Sequence, residues 1–391
     1  MPLLAGFPPV LWALSFFFLG LGLTARVDIP LAVFAMTAAL SLGDIERGGW
    51  RNYLQQHWPL VLFLVVAAVT TVTSVDPLHS VQVQPQLLPA LLCYAVIISF
   101  VTTLPRLRFA CTGLLAGGML TAVLMLSGAS QMDVDDPLVK VKLLGNGLLI
   151  VPNDVLLLSV IAPLALGLAW SARWWLRLVV ATYLLLALVA CVVMHSRQAV
   201  VVWALGLVLV ATWMRPRWIV PFLLVTTAGG LLVDGLLGWP LLNKIFMFPR
   251  IYVWHTAWAM FVDRPWLGQG PGMFKDLYFP FLEKAGYVLA DLGDRRTMPW
   301  AHNLYLEQLA ERGLPGLVAL LCLLGRALLH GVRKVRHSAL PEARGLQVGI
   351  TSALLALVIS GVAEASLSRL WVTVLLLVLV AFCSLEQLPQ E

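Results

Sequence analysis

Three side chains in this 391-residue chain are of types and placements that can do chemistry: Arg197, Arg250 and His302. Arg197 lies within His195-Ser196-Arg197-Gln198-Ala199, at the end of a long apolar run. Arg250 heads a stripe in which Trp254, Trp258 and Phe261 recur at helical spacing. His302 opens a second helical pattern, with Tyr305, Leu306 and Leu309 on its face. Arginine brings a permanent charge and a planar fork suited to phosphate oxygens. A neutral histidine can take a proton near neutral pH. Asp154, beside Asn153 at the entrance of an apolar run, is a candidate for binding hydroxyl groups. Asp133-Val134-Asp135-Asp136 is a DxD-like cluster of the kind that can hold a hard cation. Lys140 and Lys142 follow it closely, so it reads as a solvated loop and no metal site is expected. Gly268-Gln269-Gly270-Pro271-Gly272 lacks the preceding strand and following helix of a phosphate cradle and reads as a tight turn.

These residues must be positioned by membrane helices. Hydrophobic residues make up 60% of the chain and charged residues 12%, against about 25% charged in a soluble protein. Mean hydropathy is +0.89. A cytosolic enzyme is excluded by this composition, and nothing points to nucleic acid. The five cysteines lie scattered in apolar stretches, with no spacing suited to disulfides or zinc. Apolar runs fall at about 8–25, 27–42, 59–74, 86–104, 109–128, 147–170, 177–195, 198–214, 218–237, 314–330, 346–366 and 370–385. The first has no basic residues before it and reads as a membrane helix rather than a cleaved signal. The expected fold is therefore all-α and polytopic, with about 12 transmembrane helices. Residues 1–237 hold the first nine, 238–312 form one large loop, and 313–391 hold the last three.

Twelve spans leave both termini on one side. The short loops on that side carry 13 Lys and Arg, and the opposite short loops carry 5: Arg26, Lys140, Lys142, Arg197 and Arg369. The positive-inside rule then makes both termini cytoplasmic and the large loop external. The charges Asp154, Arg197, Asp234, Glu364 and Arg369 all fall toward that outer side. An ion pathway more often places such groups at mid-depth, so the chemistry is expected at the outer surface.

The large loop holds 15 of the 38 aromatic residues. They suit either an interfacial belt among lipid headgroups or a surface whose rings pack on sugar faces. Two helices bracket the loop. One runs from about Arg250 to Phe261 and ends before Arg264-Pro265. The other begins near Pro299 and ends at Gly313.

The order of these residues resembles a known family. Arg250-x3-Trp254 is followed by Asp263-Arg-Pro265-Trp-Leu-Gly268-Gln-Gly270-x-Gly272-x-Phe274. Next comes His302-Asn303-Leu304-x-Leu306-x-Gln308-Leu309-x-Glu311-x-Gly313-Leu314-x-Gly316. Together they are similar to the signature of the O-antigen ligase and O-antigen polymerase superfamily, and cover about 70 residues. His195-Ser-Arg197-Gln-Ala199 resembles the family's preceding arginine motif.

The resemblance implies a GT-C-type, all-helical glycosyltransferase of the bacterial inner membrane. It implies an inverting, metal-free transfer without cofactor, from an undecaprenyl-diphosphate-linked glycan donor to a lipid A-core acceptor, among membrane lipids at the periplasmic face. His302 matches the family's essential histidine, and Arg197 and Arg250 match its essential arginines. Asn303 and Trp254 are weaker matches. The expected roles are a general base for His302 and diphosphate binding for the arginines. A ligase is preferred because the chain is compact and has a single large insert. A polymerase that uses a second lipid-linked glycan as acceptor is the nearest alternative. A lipid-linked-glycan flippase is the alternative of another class, and it needs a polar pathway through the spans that the sequence does not display.

Overall fold

The computed structural model describes residues 57–84, 87–128, 141–143, 148–150, 152–194, 196–214, 250–292, 297–363 and 365–385, with isolated positions 220, 224 and 228. The expected spans 8–25 and 27–42, most of 218–237, the Asp133–Asp136 cluster and His195 lie outside the described residues.

In hydrocarbon, each backbone polar group must find its partner within the protein, so long apolar segments become helices. In chain order they are α1 (Trp58–Val72), α2 (Pro77–Val83), α3 (Leu87–Phe100) and α4 (Leu104–Gly128). Then come α5 (Leu156–Ala169), α6 (Trp174–Val193) and α7 (Arg197–Met214). The large segment supplies α8 (Ile251–Asp263), α9 (Met273–Asp276) and α10 (Tyr278–Lys284). The chain continues with α11 (Leu304–His337), α12 (Pro341–Ser360) and α13 (Leu370–Ser384). Among the described residues α4, α6, α7, α11 and α12 are long and apolar enough to cross a membrane. The shorter apolar helices are α1, α5 and α13. Threonines inside these elements return their hydroxyls to the helix, as Thr70 does to the Val66 carbonyl at 2.9 Å and Thr121 to Gly117 at 2.9 Å.

Helix α5 is the centre of the bundle, and every residue in it except Leu166 is buried. It packs against α12, α7, α4 and α6. The α5–α12 contact is made by glycines: a Cβ on Gly167 would stand 2.6 Å from the Gly345 carbonyl oxygen and 2.8 Å from the Gly349 Cα. Small residues of this kind let backbones approach where van der Waals packing must hold helices together.

Within the expected span 147–170 the helix, Leu156–Ala169, is shorter than the apolar run. Leu148–Ile150 pairs antiparallel with Val141–Leu143 as a two-stranded hairpin, with Val141 opposite Ile150, and Pro152–Val155 is a 3₁₀ turn. An apolar run this short fits strand or helix equally by pattern. Pro152 disfavours helix at the residue before it, so α5 starts only at Leu156.

Helix α11 also departs from expectation. It begins at Leu304 rather than near Pro299, and it passes through Gly313 with a kink instead of ending there. Gly313 has φ +64°. Pro315 has no N–H to offer the Glu311 carbonyl, and the Leu314 amide donates to the Pro265 carbonyl at 2.8 Å. The carbonyls thus stranded at Ala310 and Glu311 accept from the Gln269 and Gly270 amides, each at 2.9 Å. The glycine run is therefore a turn fitted to the kink, because a Cβ on Gly268 would stand 2.3 Å from the Glu311 carbonyl carbon.

Alternating helix directions sort the polar contacts to two ends. At one end Ser74 meets Gln269, Gln198 meets Ser360 and Asp154 meets Arg369. At the other, Arg108 pairs with Glu342.

Candidate functional site

The first of these ends gathers the residues singled out in the sequence. Helix α12 finishes there, and its last carbonyls and those of the turn that follows need partners from outside the helix. Donors from three other helix starts reach them. The Leu304 amide, first in α11, donates to the Gly361 carbonyl at 2.7 Å. Gln198 Nε2, in the first turn of α7, donates to the Ser360 carbonyl at 3.1 Å. Arg250 Nη1, at the N-cap of α8, donates to the Ala363 carbonyl. Tyr305 adds its hydroxyl to the Val358 carbonyl at 2.6 Å. The starts of α7, α8 and α11 therefore converge on residues 358–363, and they bring Arg197, Arg250 and His302 to one region.

His302 sits at a corner just ahead of α11. Its φ of +51° makes it the one non-glycine residue with positive φ among the described residues. Asn303 turns the chain back to extended geometry and caps the helix, and its Oδ1 accepts from the Tyr305 and Leu306 amides at 3.0 Å each. With the Leu304 amide on Gly361, the first three N–H groups of α11 are all satisfied. The cap explains why α11 starts where it does: it, and not Pro299, sets the boundary.

Trp300 meets His302 edge-on, with ring centroids 5.7 Å apart and planes at 60°. The Arg369 guanidinium lies 5.5 Å from the Trp300 ring centroid and 5.1 Å from that of Trp371. Arg369 is also ion-paired with Asp154, both side chains being almost fully buried. Asp154 is thus engaged by an arginine. Trp254 lies one turn beyond Arg250, and its amide donates to the Arg250 carbonyl at 3.0 Å.

A buried polar row on α11 runs down from this corner to the kink. Glu307, fully buried, accepts through Oε1 from Ser366 at 2.9 Å and from Ser368 at 3.3 Å. Arg312 Nη1 donates to Gln308 Oε1 at 3.1 Å and lies 3.7 Å from Glu311 Oε2. Glu311 Oε1 accepts from the Phe274 amide at 3.4 Å. Below the corner, α8 buries Tyr252, Val253, Thr256, Ala257 and Met260. Its opposite face leaves Ile251, Trp258 and Val262 exposed, as is Trp266 just beyond it. At the end of α8, hydrogen bonds from Lys284, and next from Gln269, hold the Asp263 carboxyl below its ordinary range.

Among the described residues, no group of three or more His, Cys, Asp or Glu is placed to hold a metal ion. Among the described residues, arginines and helix N-termini are among the groups that offer positive charge to an anionic ligand at this end.

Sequence reasoning passed over Trp300, Arg369 and the Glu307–Arg312 row as site elements. A signal for the pair was present: Asp154 and Arg369 are opposite charges in apolar surroundings, assigned to the same side of the membrane.

Residues 182–321 match the sequence model of the O-antigen ligase family. The matched stretch contains Arg197, Arg250, Trp254, His302 and Asn303. No curated protein matches the chain.

Proposed function

We propose that this chain, which carries an O-antigen ligase family domain at residues 182–321, moves an O-antigen glycan from undecaprenyl diphosphate to the lipid A-core oligosaccharide. The observation that carries this reading is the meeting of three helix starts around residues 358–363. Helix N-termini carry partial positive charge and favour bound anions. Arg197 and Arg250 head two of these helices, and arginine's fork matches phosphate oxygens. A diphosphate leaving group fits such a place, because its negative charge grows as its bond breaks. These groups supply the charge that a divalent cation supplies in other transferases.

In the proposed step His302 takes the proton of the acceptor hydroxyl. That oxygen bonds to the anomeric carbon on the face opposite the diphosphate. The carbon–oxygen bond to the diphosphate breaks with its electron pair, and the anomeric carbon inverts. The polyprenyl diphosphate leaves as an anion stabilised by Arg197 and Arg250. Trp254 offers a ring for a sugar face one turn from Arg250, and Asn303 holds the corner that carries His302. The exposed row Ile251, Trp258 and Val262, with Trp266, suits an outer-leaflet interface from which both lipid-linked substrates arrive.

The charge asymmetry of 13 against 5 supports a periplasmic site in the inner membrane, with cytoplasmic termini. A cysteine at the exposed Val288 should react with an impermeant maleimide in intact spheroplasts, and labelling only after lysis would reverse the orientation. The reaction itself is tested by reconstituting purified protein with undecaprenyl-diphosphate glycan. Lipid A-core and a second lipid-linked glycan are then offered as acceptors. Transfer to lipid A-core is expected. Elongation of the lipid-linked glycan alone would make the protein a polymerase, and no transfer to either acceptor would sink the proposal.

A further inference from the structure

The His302 ring projects from a corner with φ +51°, a backbone state that L-residues seldom adopt. The ring edge meets Trp300, which itself lies on a non-helical stretch before α11. What steadies Trp300 comes from elsewhere in the chain. The Arg369 guanidinium stands over its ring at 5.5 Å, within the range of a cation–π contact. Arg369 is anchored on several sides. It forms the N-cap of α13, and its amide donates to the Ser366 carbonyl at 3.2 Å. Its guanidinium pairs with Asp154, just ahead of α5, and lies 5.1 Å from the Trp371 ring. A buried ion pair adds little net stability over apolar side chains of the same size, because desolvation offsets the attraction. Stability alone is thus a weak reason for placing this pair behind a site residue.

We propose that Arg369, held by Asp154, is a positioning residue for His302 and acts through the Trp300 ring. The pair ties the start of α5 to the start of α13, and Trp300 passes that fixed geometry to the imidazole. The functional consequence rests on His302 being the general base, as proposed above. The geometric claim stands apart from it.

The test uses the full-length protein in nanodiscs, with two readouts. The first is the NMR signal of labelled His302, assigned by its loss in His302→Gln. Because the ring current of Trp300 acts on the imidazole, Trp300→Leu, Arg369→Met and Asp154→Asn should each move that signal. Trp300→Phe, which keeps an aromatic face and edge, should restore most of it. An unmoved His302 signal in Arg369→Met overturns the proposal whatever the activity. Arg369→Lys, which keeps the charge but not the planar stack, substitutes if the Met variant does not fold, and an unmoved signal there overturns the proposal equally.

The second readout is transfer kinetics. Misplacing a catalytic group by about 1 Å can cost about 10²-fold in rate. Trp300→Leu and Arg369→Met should each lower kcat by about ten- to a hundred-fold, with donor KM little changed. The double variant should be no slower than the worse single one, since both break the same chain of contacts. Additive losses in kcat would mean independent structural roles and would overturn the proposal. If the His302 signal moves as expected while His302→Gln keeps full turnover, the positioning stands and the general-base reading falls.

Discussion

The Leu304 amide donates to the Gly361 carbonyl at 2.7 Å, joining the first residue after the His302–Asn303 corner to the end of α12. The same turn accepts from Gln198 beside Arg197 and from Arg250 itself. A single carbonyl-rich turn therefore sets the relative placement of three helix starts, and substitutions that loosen one start should be felt at the others.

Asn303 is placed as a cap, and its substitutions should sort by capping ability. Asn303→Asp and Asn303→Ser can still accept from the Tyr305 and Leu306 amides, and should keep most activity. Asn303→Ala should lower stability by about 1 kcal/mol, read as a fall in Tm in nanodiscs. If Asp and Ser are as inactive as Ala while all three remain folded, Asn303 contacts substrate instead.

Arg197 and Arg250 are proposed to grip a diphosphate through their planar forks. Replacing either by Lys keeps a charge but loses bidentate geometry, and should raise donor KM and lower transfer sharply. Arg250→Lys carries a second cost, since the bond to the Ala363 carbonyl is also disturbed. Near-parent donor affinity in both Lys variants would show that a point charge suffices.

Gly313 makes the kink possible, so its replacement tests the accounting of backbone bonds. A Cβ there would stand 2.6 Å from the Trp266 carbonyl carbon and 2.7 Å from the Pro265 oxygen, at a φ that disfavours it anyway. Gly313→Ala should destabilise by more than about 1 kcal/mol and detach the 265–270 segment from α11. Protease sensitivity gained in that segment is the measurement. An unchanged digestion pattern and Tm would contradict this description of the kink.

How much of this was legible in the sequence differs by element. Helix α8 was, because Arg264-Pro265 marks its end and its aromatic stripe marks its face; the expected 250–261 became Ile251–Asp263. The two ends of the run at α11 differ from expectation for different reasons. The start is set locally by the Asn303 cap rather than by Pro299, whereas the kink at Gly313 is decided by partners distant in sequence, Pro265, Gln269 and Gly270. Arg197, Arg250 and His302 stand out in the sequence by type and spacing and above all by the family resemblance. Of Asp154 and Arg369 the sequence shows only two opposite charges on one side of the membrane, and of Trp300 nothing, because an ion pair spanning 215 residues and a ring contact beside it are products of the fold.

Asp263 provides a pH signature outside the spans. Hydrogen bonds from Lys284 and Gln269 depress its folded pKa below the ordinary 3.8. A depressed carboxylate contributes stability that is present above the unfolded value and lost as pH falls through the folded one. The side chain is largely solvated, so screening keeps the effect small. Lys284→Met should lower Tm slightly at neutral pH, with the difference from the parent shrinking below about pH 4. A difference that grows in acid would contradict the assignment.

The central claim is that His302, at the corner held by Asn303 and Gly361, removes the acceptor's proton. The most direct measurement is single-turnover transfer by parent and His302→Gln protein, at saturating undecaprenyl-diphosphate glycan and lipid A-core and with donor binding followed in parallel. Glutamine keeps a hydrogen-bonding side chain but accepts no proton, and general-base help is worth about 10²–10⁴-fold. The account predicts a loss of that order in His302→Gln with donor affinity preserved. Turnover close to the parent's would contradict it.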